Sequence, residues 1–121
     1  MESQSKFFEL EERTFRFAKE VSILCNDFSR TAANRIYINQ VIRSSASIGA
    51  NYIEANESLS KKDFFMRLKI SRKEARETTY WLRLLAELNQ GVQDHSKPLL
   101  KACGELVRIF SAILQKANAK V

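Results

Sequence analysis

Apolar side chains return at alternating steps of three and four along almost the whole chain, and only 3 Gly and 1 Pro interrupt it. Steps of three and four stack side chains on one face of an α-helix, whereas a strand needs steps of two. So few Gly and Pro also argue against a many-turned all-β fold. The pattern therefore predicts long helices with few connections.

Four stripes can be read. Phe7, Leu10, Thr14, Phe17, Val21, Leu24 and Phe28 form the first, in the three-four rhythm of a helix seam. Ser3 or Ser5 is placed to cap its start. Asn26, Asp27, Ser29, Arg30 and Thr31 are poor helix formers and predict the first connection. The second stripe, within about Ala33 to Ala55, is Ile38, Val41, Ser45, Ile48, Tyr52 and Ala55. Gly49 inside that helix costs about 1 kcal/mol relative to Ala. Close approach of a neighbouring helix is the simplest feature that offsets it. A turn follows at Asn56–Ser60, with Ser60 as N-cap and Asp63 three residues on. The third stripe is Phe64, Leu68, Ser71, Ala75, Thr78, Leu82 and Leu85, with Gly91 predicted to end the helix. The fourth is Leu99, Cys103, Leu106, Phe110, Ile113 and Ala117, starting after Asp94, His95 and Ser96 with Pro98 in the first turn. The expected fold is all-α, an antiparallel up-down-up-down four-helix bundle in which residues 1–121 form a single domain. The small middles of the second and third helices predict that these two pack closely.

Charge points to a partner. The chain carries 20 basic and 14 acidic residues, and residues 30–83 hold the whole excess of +6. On the third helix Lys69, Arg72, Lys73, Arg76, Tyr80 and Arg83 share the face opposite the core stripe, making a basic ridge with one aromatic in it. Such a ridge can follow a phosphate backbone, and Tyr80 can stack on a base. A solvated, solubilising helix face is the plain alternative; like charges at i,i+4 are mildly destabilising, which makes the ridge slightly more suggestive of a ligand. A third face carries Met66, Ile70, Glu74, Glu77, Trp81, Leu84 and Leu88. It is wider than one two-helix seam needs and suits either a second neighbour within the bundle or a subunit interface anchored by Trp and Leu. Glu74 and Glu77 need partners there, and Arg13, Arg43 and Asn51 are candidates.

Several chemistries have no basis in these residues. His95 is the only histidine and falls in an expected loop. There is no Glu-x-x-His, no G-x-S-x-G and no Cys-x-x-Cys. No catalytic residue, cofactor or metal is expected, and the chain is not read as an enzyme. Cys25 and Cys103 lie in apolar patterns and read as reduced, buried thiols. No apolar run approaches the roughly 18 residues of a membrane span. The N-terminal Glu2, Glu9, Glu11 and Glu12 are unlike a signal peptide, so a cytoplasmic protein with no membrane partner is expected.

Four segments carry a family resemblance. They are Leu10–Ala18, Arg43-Ser-Ser-Ala-Ser-Ile-Gly-Ala-Asn-Tyr52, Ser60-Lys-Lys-Asp-Phe64 and Lys73-Glu-Ala-Arg-Glu-Thr-Thr-Tyr-Trp-Leu82. In this order they resemble the bacterial four-helix-bundle family named for reading frames within intervening sequences of 23S ribosomal RNA genes. The resemblance implies an antiparallel bundle assembled as a ring, a homopentamer, without established enzymatic activity. It also implies kinship with the accessory proteins of diversity-generating retroelements, which bind nucleic acid through a basic surface. Arg13, Arg43, Asn51, Glu74, Glu77 and Trp81 match its motif positions as structural or interface residues. The leading expectation is an oligomer that binds structured RNA or DNA. The alternative is a scaffold ring for a reverse transcriptase or another protein.

Overall fold

The four amphipathic stripes fold as four helices with no strand among the described residues. The computed structural model describes the backbone of residues 2–119 and the side chains of residues 8–117 other than Gln93. The helices are α1 (Glu2–Cys25), α2 (Ala32–Asn56), α3 (Lys61–Leu88) and α4 (Gln93–Ala119). A single 3₁₀ turn, Gln90–Val92, joins the last two.

Direction is set by cross-helix pairs. Along the α2–α3 seam, Asn34 meets Asn89, Ser44 meets Thr78, Ser71 meets Ile48 and Arg67 meets Asn51. Rising numbers on one helix face falling numbers on the other, so the pair is antiparallel. Glu11 with Asn56 and Thr14 with Gly49 give the same sense for α1–α2, and Ala75 with Cys103 and Arg72 with Ser111 give it for α3–α4. Among the described residues each helix packs on its neighbours in chain order, with α4 closing on α1.

The predicted stripes form the core except at Phe64, Ile113 and Ala117, which are half-buried; near the end of α4 Leu114 is buried in place of Ile113. Val21, Val41, Ile48, Leu68, Leu82, Leu85, Leu106 and Phe110 are fully buried. The side chain of Phe7 lies outside those described. The α2–α3 seam is the closest, because its floor is Ser44, Ser45, Ser71, Ala75 and Thr78. Their hydroxyls are bonded rather than stranded: Ser71 donates to the Ile48 carbonyl at 2.9 Å and Ser44 pairs with Thr78 at 2.8 Å. Gly49 also behaves as expected, but its close neighbour is α1. A Cβ there would lie 2.7 Å from Thr14 Oγ1.

The helix ends depart from expectation in three places. The α1 helix already runs from Glu2, so Ser3 and Ser5 lie inside it rather than capping it; their side chains are not among those described. The α3 helix ends at Leu88 without help from Gly91, which sits in the 3₁₀ turn with no positive φ. Asn89 does the work instead. Its side-chain amide donates to the Leu85 carbonyl at 2.8 Å and exchanges two hydrogen bonds with buried Asn34. An orphan helix carbonyl is thus satisfied by a tertiary amide pair rather than by a local glycine cap. Finally, α4 begins at Gln93, so Pro98 is in its second turn and His95 is an exposed helical residue, not a loop one. A proline this near a helix start removes only the bond to the Asp94 carbonyl, which limits the disruption. By contrast, Ser60 caps α3 as read, accepting from the Asp63 amide at 3.2 Å.

Candidate nucleic-acid interface

The basic ridge lies on the outward side of α3. Lys69, Lys73, Arg76, Tyr80 and Arg83 are exposed. Arg72 is half-buried at the edge with α4, where its Nη1 lies 3.4 Å from Ser111 Oγ. Arg83 meets Glu87 at 3.9 Å with both groups well exposed, an interaction worth about 0–1 kcal/mol that leaves the cation available. Among the described residues Lys69, Arg72, Lys73 and Arg76 form no ion pair. These four cations therefore sit on consecutive turns without an ion pair among the described residues. Tyr80 lies within the ridge, one turn beyond Arg76. Its ring meets Trp81 edge-on at 5.1 Å, and Trp81 stacks on Tyr37 of α2 at 5.8 Å.

Sequence reading missed a second basic row. Lys97, Lys101 and Arg108 are exposed on α4 and share a face by steps of four and seven. Ser111, three residues beyond Arg108, touches Arg72, and the Arg108 guanidinium lies back over Gly104. Steps of four and seven were visible in the sequence. How α4 is rotated against α3 was not, and that rotation is set by Cys103 packing on Ala75.

The third face of α3 is largely used within the chain. Glu74 accepts from Arg43 at 3.3 Å, and Glu77 lies 3.7 Å from the same guanidinium. Trp81 is half-buried against Tyr37. Ile70 and Leu84 are half-buried, while Met66 and Leu88 remain exposed. Of the three polar candidates only Arg43 meets these carboxylates. Arg13 instead pairs with Glu105 across α1–α4, and Asn51 accepts from Arg67 at 3.0 Å. They are three separate contacts rather than one cluster, because each lies on a different stretch of seam.

Burial, the neighbouring Glu77 and then the opposing pull of Arg43 set the Glu74 carboxyl, which is raised above its ordinary 4.5. A raised carboxyl contributes stability below the ordinary value and loses it as pH rises through the folded value. Glu74→Gln should therefore melt higher than the wild type at pH 7, with the two converging below about pH 4.5. A variant less stable at neutral pH would show that the Arg43 pair outweighs desolvation.

The remaining reactive groups are poorly set for chemistry. Burial pushes the Cys25 and Cys103 thiols up to about 11, and both are free. A thiol that stays protonated at neutral pH is a weak nucleophile and metal ligand. No described helix is long and apolar enough to cross a membrane.

Opposite the α3–α4 wall, α1 and α2 leave an open apolar groove of about 340 Å³. Ala46, Gly49 and Ala50 form its α2 side, with Phe15 and Ile53 exposed along it. The bundle thus has one apolar side and, across from it, one cationic side.

Two comparisons with known proteins bear on this arrangement. The family model of the 23S rRNA-intervening sequence protein matches residues 8–112. A crystal structure of a protein of unknown function from the S23 ribosomal protein family of Bacteroides thetaiotaomicron superposes with a TM-score of 0.81 at 28% identity, covering 91% of this chain and 98% of the other. No curated protein matches the chain.

Proposed function

The chain belongs to the 23S rRNA-intervening sequence protein family, and we propose that this member is a self-associating, non-enzymatic cytoplasmic protein that binds RNA or DNA through the basic face of α3. One observation carries the reading: four cations on consecutive turns of α3 form no ion pair among the described residues, although the same chain pairs Arg13 and Arg43 with carboxylates. Keeping like charges adjacent at i,i+4 costs a few tenths of a kcal/mol per pair, which an anionic ligand reverses. Self-association is supported by the apolar residues left outside, including Phe8, Phe15, Ile53, Met66 and Leu88. Five subunits in a ring is the state that the family resemblance leads to. Free, buried cysteines suit a reducing compartment.

The α1–α2 groove favours a second reading, a ring that docks a protein such as a reverse transcriptase. Salt separates the two. Binding of an RNA hairpin through about five phosphates should fall with a log–log slope near −4 to −5. Solution mass should show several subunits per particle, and should rise on adding RNA. A protein partner captured from cell extract at high salt after nuclease treatment, with no affinity for RNA at low salt, would replace the first reading by the second.

A further inference from the structure

We infer that the α3–α4 wall binds an A-form RNA duplex across its two backbones, with the α3 ridge on one strand and the α4 row on the other. This rests on the nucleic-acid reading above and deepens it by naming the ligand's form.

Three features of the wall carry it. First, the cations stand in two rows on adjacent antiparallel helices rather than in one. Arg72 and Arg76 on α3 and Lys101 and Arg108 on α4 form no ion pair among the described residues. The acids on the wall, Glu87 and Asp94, sit at one end and are engaged by Arg83 and Lys97. Adjacent helix axes lie about 8–10 Å apart, and Lys and Arg reach further still, so the rows can meet two separate strands of phosphates. At about 1.5 Å per residue, Lys69 to Arg83 spans about 21 Å and Lys97 to Arg108 about 16 Å.

Second, the wall is two helices broad. Two helices side by side are about 20 Å wide, whereas the B-DNA major groove is about 12 Å wide and admits one. The wall must lie across backbones, and a wide, shallow A-form minor groove offers the surface for that.

Third, the described residues of the strip between the rows offer no stacking platform. Arg72 and Ser111 meet there, and Tyr80 turns away to Trp81 on the α2 flank. Unpaired bases are normally held on aromatic rings, so a single strand would find little to stack on in the strip.

The test compares wild type and Lys101→Ala/Arg108→Ala on an RNA duplex of two helical turns, its single strand, and the DNA duplex of the same sequence. Wild type should bind the RNA duplex tightest. The double variant should lose about tenfold for it, with the salt slope shallower by about 2, and change little for the single strand. Its melting temperature should match wild type, since both side chains are exposed. A double variant that binds the RNA duplex as wild type does, or a wild type that prefers the single strand or DNA, overturns the inference while leaving nucleic-acid binding by α3 in place. A wild type that binds none of the three overturns both.

Discussion

Replacing Arg72, Lys73 and Arg76 together by Glu should reduce affinity for structured RNA by on the order of 100-fold or more at moderate salt. Each lost phosphate contact removes its share of counterion release, and each introduced carboxylate adds repulsion. The fold should survive. Lys73 and Arg76 are exposed, and the recorded hydrogen bond of Arg72 is a long one to Ser111. Relief of the Lys69–Lys73 repulsion offsets the new repulsion between position 73 and Glu77, and positions 72 and 76 stay like-charged as before, so circular dichroism and the melting temperature should change little. Undiminished RNA affinity in a folded triple variant would remove the ridge from the interface.

The largest stability effect is expected at Gly49. Its missing Cβ is the space that α1 occupies: an added methyl would stand 2.7 Å from Thr14 Oγ1 and 3.1 Å from Thr14 Cβ. Thr14 cannot readily give way. It is buried, and its hydroxyl donates to the Glu11 carbonyl at 2.8 Å. Gly49→Ala gains about 1 kcal/mol of helix propensity against an overpacking cost of about 1–3 kcal/mol. Gly49→Val keeps the clash, enlarges it and gains less propensity. It should lose about 3 kcal/mol, a fall in melting temperature of roughly 10 °C. Adding Thr14→Ala to Gly49→Ala should restore much of the loss. A Gly49→Val protein that melts with the wild type would mean that α1 and α2 are not in contact there.

What the sequence made legible follows from which interactions are periodic. Each core stripe repeats at the helical period, so Val21, Ile48, Leu68 and Leu106 could be placed inside before any coordinates. The ridge was legible for the same reason, since its residues belong to one helix. Helix ends were harder. Gly91 looked like a stop signal, but α3 ends on the Asn34–Asn89 amide pair, whose members are far apart in sequence. Pro98 looked like a first-turn residue, but the turn at Gln90–Val92 starts the last helix earlier. The α4 cations and the partners of Arg13 and Asn51 depend on how helices rotate against one another. No single-helix period records that rotation.

The central claim is that the α3–α4 wall, not the apolar α1–α2 side, meets the nucleic acid. Amine acetylation of the native protein, read by peptide mass spectrometry with and without RNA, tests it lysine by lysine. RNA should protect Lys69, Lys73 and Lys101 and leave Lys19, beside the α1–α2 groove, reacting as before. Protection of Lys19 with the wall lysines unprotected would contradict the account.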